Sequence, residues 1–195
     1  MTGSRPVMAS EGLASGVRLD RHPRWNALVF ARPRPVLSTA PVGGGEARAQ
    51  RVVNLCVGGP DCRALCDDPV GAFRSLAVEH DWTGPLVGLM TGVAAAHAGV
   101  AHGSSPDWSV LATAGTNNAH RAGGPASETD GPGTINIIAA TAQALTPAAR
   151  AEALALAAEA KAALLADLGI RVPGSATLAS GTGTDAVAIV AGDGD

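Results

Sequence analysis

Charge and aromatic bulk are both scarce in this sequence. Only 16% of its 195 residues are charged and 3% are aromatic, with two phenylalanines, three tryptophans and no tyrosine. An average soluble domain is about one quarter charged. The formal net charge is −3, from 14 Lys and Arg against 17 Asp and Glu, and 46% of residues are hydrophobic. Disorder needs the opposite combination, low hydrophobicity with high net charge, so the chain is expected to fold. A sequence pI of about 5.9 also lacks the basic footprint of a nucleic-acid partner.

Cysteine is sparse and odd in number. Cys56, Cys62 and Cys66 cannot all pair, which argues against a disulfide framework and for a reducing compartment. Their C-x5-C-x3-C spacing departs from the C-x2-C of structural zinc sites, and His97 and His102 lie five apart. No metal site and no cofactor is therefore expected, and the cysteines read as packing residues. Long apolar runs are missing too. The most alanine-rich stretch, 148–166, is broken by Arg150, Glu152, Glu159 and Lys161, whereas a span needs ~20 apolar residues. No apolar run follows Arg5 as a secretory signal would require. The expectation is a cytoplasmic protein with no membrane partner; a homo-oligomer is left open. Neither a Walker loop nor a G-x-S-x-G elbow occurs.

What the chain has in quantity is glycine, 25 residues, together with alanine. Such a core reaches its density by close approach of backbone to backbone. At ~150 residues per domain the length suits one domain, expected over 21–195 after a polar, flexible lead-in at 1–20. Strands are predicted at 25–31 and 35–40, with Arg32-Pro33-Arg34 as a hairpin turn between them, then at 51–56, 85–92, 108–115, 133–141 and 186–190. One helix is predicted over 68–80, with Asp68 as cap and Pro69 at its first position. A longer one is predicted over 147–168, capped by Thr146 and stopped by Gly169. Segment 93–100 reads equally as a short helix or as a strand extension, and 116–132 reads as a loop. Few β–α alternations make the fold class α+β, a mixed and largely antiparallel sheet flanked by helices.

On a wheel of the long helix, Leu154, Leu164, Leu165 and Leu168 fall in one arc of roughly 100°. Glu152, Glu159 and Asp167 fall on the other side, with Leu156 the apolar exception. Lys161 lies in the middle of the leucine arc. Either its stem runs along the core and its head reaches water, or it points into a polar cleft and meets an acid or a carbonyl.

Three polar loops are candidates for chemistry. Gly181-Thr182-Gly183-Thr184-Asp185 packs two glycines, two hydroxyls and a carboxylate into five residues, which suits an anion-holding turn beside a general base. The same residues also serve ordinary turns, in which Thr and Asp cap their own backbone. Gly115-Thr116-Asn117-Asn118 and Gly133-Thr134-Ile135-Asn136 place amides and hydroxyls beside predicted strands, where Asn offers both donor and acceptor.

In order along the chain, Val36-Leu37-Ser38-Thr39-Ala40 with Gly43-Gly44-Gly45, Asn54, Val87-Gly88-Leu89-Met90-Thr91, Gly115-Thr116-Asn117 with Arg121-Ala122-Gly123, Gly133-Thr134-Ile135-Asn136-Ile137-Ile138, Glu159-Ala160-Lys161 and Gly181-Thr182-Gly183-Thr184-Asp185-Ala186 resemble the adenosylcobinamide amidohydrolase (CbiZ) family. The resemblance runs from about Arg34 to Val190. It implies hydrolysis of the amide joining the corrin ring to aminopropanol, giving adenosylcobyric acid for coenzyme B12 synthesis, with the cobalt corrinoid as substrate. Stretches 56–66 and 94–107 depart from it.

Amide hydrolysis needs an activated water, a held oxyanion and a proton for the leaving amine. On those grounds Asp185 is expected as base, the Gly181 and Gly183 backbone with Thr182 or Thr184 as oxyanion cradle, and Lys161 as the group that polarises the carbonyl or lowers the barrier to amine departure. Glu159 is a further catalytic candidate. Asn117, Asn136 and Arg121 are expected at the substrate's amides or hydroxyl, with Gly43, Gly44, Gly45, Asn54 and Thr134 also at the substrate. The competing expectations are an amidase or acyltransferase with Thr134 or Thr184 as nucleophile, and a corrinoid-binding protein without catalysis.

Overall fold

The computed structural model describes residues 13–59, 62–104, 107–125 and 133–193. In chain order the elements are β1 (Val17–His22), β2 (Trp25–Ser38), β3 (Gly45–Cys56), α1 (Cys62–Asp67), α2 (Pro69–Glu79), β4 (Leu86–Thr91), a 3-10 turn (Ala95–His97), β5 (Gly99–Ser104), β6 (Asp107–Ala114), β7 (Ala119–His120), β8 (Ile135–Ala144), α3 (Pro147–Asp167), β9 (Gly181–Thr182) and β10 (Ala186–Gly192). One eight-stranded sheet runs β4-β3-β2-β10-β8-β6-β5, with β1 paired to β2, and β7 with β9 forms a separate ribbon. Within the large sheet only β3 with β4 and β8 with β10 pair parallel. The other pairings are antiparallel, so the α+β class with a mixed, largely antiparallel sheet holds.

Each parallel pair needs a crossover, and each crossover is helical: α1 and α2 join β3 to β4, and α3 joins β8 to β10. Local signals set both longer helices. Asp68 accepts from the Gly71 amide and Pro69 opens α2, while Thr146 accepts from the Ala149 amide and Pro147 opens α3.

Strand alternation divides the core. Ala27, Val29, Val53 and Leu55 turn to α2, where Phe73 and Leu76 meet them. Val187 and Ile189 turn to Leu154 and Ala157 of α3. On the other face Leu28, Phe30, Val52, Ile138, Ala188 and Val190 share one cluster with Leu89 of β4 and Leu111 of β6. Those two strands are far apart in sheet order, so the sheet curls around this cluster. A buried amide network closes the curl. Asn136 Nδ2 donates to Asn54 Oδ1 and to the Met90 carbonyl, both at 2.8 Å, and Asn54 Nδ2 donates to Thr113 Oγ1 at 2.9 Å.

Four expectations are corrected. The hairpin turn at 32–34 is absent: β2 is one 14-residue strand whose register with β3 shifts between Val29 and Arg34. Pro33 falls in that irregular stretch, where its missing N–H breaks no regular ladder. Of the lead-in at 1–20, residues 1–12 lie outside the described part, but Ala14 is buried and β1 begins at Val17. Segment 93–100 is neither alternative alone, since a 3-10 turn leads into β5. The loop at 116–132 contains β7, and its residues 126–132 lie outside the described part.

The candidate active site

The inward face of α3 carries Leu154, Ala157, Lys161 and Leu165. Leu164 and Leu168, expected on that face, are 57% and 65% exposed. The helix therefore buries a narrower stripe than a leucine count suggests, and Lys161 lies on it. Its side chain is only 14% exposed.

Lys161 meets a carboxylate there. Its Nζ donates to Asp185 Oδ2 at 2.5 Å, and the Asp185 side chain is 9% exposed. Three further donors converge on the same carboxylate: the Ile135 amide on Oδ1 at 2.8 Å, the Thr182 amide on Oδ2 at 2.9 Å, and the Thr182 hydroxyl on Oδ1. A carboxylate offers about four lone-pair positions, so Asp185 is filled by groups of the protein itself. Gly181 is required for this convergence, because a Cβ there would stand 2.5 Å from Asp185 Oδ2 and 2.9 Å from Lys161 Nζ.

Beside the pair lies a hydroxyl cluster. Thr134 Oγ1 and Thr184 Oγ1 are 2.7 Å apart, and both also reach the Gly133 carbonyl, at 2.8 and 3.1 Å. Thr134, Thr184, Asp185 and Asn118 line a cavity of about 490 Å3, whose apolar lining includes Val57, Pro69 and Met90. Cys62 and Cys66, one turn apart on α1, line it too. Partial burial and the hydrogen-bonded Cys62 beside it push the Cys66 thiol above its ordinary range, which keeps it protonated and a poor nucleophile. A second cavity, of about 370 Å3, is lined by Lys161, Glu159, His120, Ser180 and Thr182. Among the described residues, no three His, Cys, Asp or Glu side chains converge to hold a metal ion.

A family model described as adenosylcobinamide amidohydrolase, CbiZ, matches residues 10–195. The chain belongs to that family. It is a hydrolase acting on an amide. No curated protein and no solved structure matches the chain. Among the described residues no helix is long and apolar enough to cross a membrane.

Of the residues singled out in the sequence of this amidohydrolase, Lys161, Asp185, Thr182, Thr184, Thr134 and Gly181 come together, while Gly183 sits exposed in the connecting turn. Both the amide and the hydroxyl of Thr182, a residue expected in the oxyanion cradle, are turned onto Asp185. Glu159 lines the second cavity on the outer side of Lys161. Asn54 and Asn136 are buried in the network that closes the sheet, so their amides serve the fold and do not reach the cavities. Gly43, Gly44 and Gly45 form the exposed β2–β3 turn, which sets Val42 against Gly88. Arg121 is exposed and donates to the Leu178 carbonyl, and Asn117 is exposed beside the cavity-lining Asn118.

The sequence places Asn118 in a candidate polar loop but gives a role only to Asn117, and it reads Cys62 and Cys66 as packing residues, whereas all three line the cavity. For the cysteines a signal existed, since positions four apart on one helix share a face. For Asn118 nothing local separates it from its neighbour.

Proposed function

We propose that this protein hydrolyses the amide between the corrin's propionyl side chain and aminopropanol in adenosylcobinamide, releasing adenosylcobyric acid for corrinoid salvage. The corrinoid enters as substrate, its amide arm and adjoining ring edge in the 490 Å3 cavity. The observation that carries this reading is the 2.5 Å pair of Lys161 and Asp185, beside two threonine hydroxyls that open on one space.

In this reading the Thr182 hydroxyl turns away from Asp185 and yields its place to a water. Asp185 takes a proton as that water attacks the carbonyl carbon. The hydroxyls of Thr134 and Thr184 turn from the Gly133 carbonyl and donate to the oxygen of the tetrahedral intermediate. Asp185 passes the proton it took to the departing nitrogen, and Lys161, on the side of the second cavity, balances the carboxylate's charge throughout. One water is consumed, and an acid and an amine are formed. Incubation with adenosylcobinamide, followed by mass analysis for adenosylcobyric acid and aminopropanol, tests the reading. Intact substrate after incubation with the wild-type protein overturns it.

A second reading has Thr184 attack the carbonyl and form an ester as the C–N bond breaks and aminopropanol leaves with the hydroxyl proton; water then hydrolyses the ester. It is favoured by the full set of donors on Asp185, against hydroxyls that already face the cavity. Hydroxylamine would trap that ester as a hydroxamate, and direct water attack leaves none.

A further inference from the structure

We propose that Cys62 and Cys66 form a two-coordinate site for a soft monovalent cation, copper(I). The amide chemistry above makes no use of either thiol, and the inference stands or falls apart from it. The stretch 56–66, which carries Cys62, also departs from the family resemblance.

The pair is set by α1. The two residues lie four apart on that helix, and their thiols are hydrogen-bonded to each other. Side chains so spaced share a face, with Cβ atoms about 5–6 Å apart. A disulfide needs about 3.5–4.5 Å between Cβ atoms, so a direct S–S bond would unwind the helix. An ion between the sulfurs needs no such movement. With metal–sulfur bonds of about 2.3 Å, the sulfurs stand up to about 4.6 Å apart, a thiol–thiol contact opened slightly. Cys66 is exposed and Cys62 half-buried, so an ion reaches the pair from solvent.

The donor set then selects the ion. A structural zinc site takes four ligands, and among the described residues no third His, Cys, Asp or Glu joins the two thiols. Copper(I) prefers sulfur and is satisfied by two thiolates. Binding replaces two S–H bonds by two S–Cu bonds and releases two protons to solvent. Copper stays monovalent throughout, so no oxidant or reductant is consumed. Because burial and its neighbours hold the Cys66 proton more firmly than usual, only an ion with a strong preference for thiolate displaces it.

Reduced wild-type protein is titrated with copper(I) under anaerobic conditions against the chromogenic chelator bicinchoninate, beside Cys62→Ser, Cys66→Ser and Cys56→Ser. Cys56 closes β3 and lies outside the cavity lining that the other two share, so it serves as the control. Wild type and Cys56→Ser are expected to take one ion per chain with affinities within about threefold of each other. Removing either ligand is expected to weaken binding about a hundredfold or more, since one thiolate remains. An affinity unchanged in Cys62→Ser or in Cys66→Ser overturns the inference, as does a comparable loss in Cys56→Ser or no competition by the wild type. X-ray absorption at the copper edge of the loaded wild type needs no variant. Sulfur neighbours alone are expected, and nitrogen or oxygen neighbours overturn the site. None of these failures touches the hydrolase reading, which is tested on adenosylcobinamide.

Discussion

Lys161 and Asp185 form a partition. Asp185 lines the 490 Å3 cavity, Lys161 lines the 370 Å3 cavity, and their 2.5 Å contact is what stands between them. The pair is nearly out of solvent, so removing either partner leaves a charge without its counter-charge. The two removals are unequal, however. Lys161→Met leaves Asp185 with three donors and is expected to cost about 1–2 kcal/mol. Asp185→Asn strands the ammonium and turns an amide NH2 toward backbone N–H groups, with an expected cost of about 3 kcal/mol. Urea unfolding of both variants measures the difference. Equal costs would mean that the Ile135 and Thr182 donors contribute nothing. Release of aminopropanol is expected to be abolished in both.

Thr184→Val removes the exposed member of the hydroxyl pair at nearly constant volume. If that hydroxyl supports the tetrahedral oxygen, kcat falls by ~10²–10³ with little change in KM, and Thr184→Ser restores most of it. A drop confined to KM would place Thr184 in substrate binding alone.

Asn136→Ala tests the closure of the sheet. It strips partners from Asn54 Oδ1, from the Met90 carbonyl and from the Ala186 amide, which donates to Asn136 Oδ1 at 3.2 Å. Unsatisfied buried groups cost about 1–3 kcal/mol each, so a loss of about 3 kcal/mol in unfolding free energy is expected. A loss under about 1 kcal/mol would show that the network is dispensable.

Acid is expected to weaken the fold near the β1–β2 turn. His22 stacks on Trp25 at 5.2 Å and stands edge-on to His80 at 5.0 Å, while Trp25 Nε1 donates to His80 Nε2. Burial first, then His80 and Arg24, push His22 below its ordinary 6.5, with Glu79 opposing. The folded form thus prefers the neutral ring. Its contribution is full above about 6.5 and is lost as pH falls through the lowered folded value. Melting temperatures of wild type and His22→Gln across pH 5–8 check this, and the variant is expected to show the shallower slope.

Local chemistry was legible in the sequence and long-range closure was not. Asp68 with Pro69 and Thr146 with Pro147 mark helix starts because caps act within one turn. Lys161 was legible from helical periodicity, although Leu164 and Leu168 were not, since how wide a stripe is buried depends on what the helix lies against. Pro33 resembles a turn residue until β1, β3 and β10 supply the partners that hold β2 on either side of it. Asn54 and Asn136 look like ligand amides in isolation. Their true partners lie on strands separated from them by many tens of residues, and no local pattern announces such pairings.

The buried network has a mechanical consequence for the cavity. Met90 belongs to both, lining the space while its carbonyl is held by Asn136. That jaw cannot widen without parting interior bonds, so its dimensions are as durable as the native state itself. The opposing character belongs to α1, six residues long and with none of them buried, which carries Cys62 and Cys66 into the lining. Accommodation of a broad, rigid guest therefore falls to the α1 jaw, and the fixed one sets the gauge.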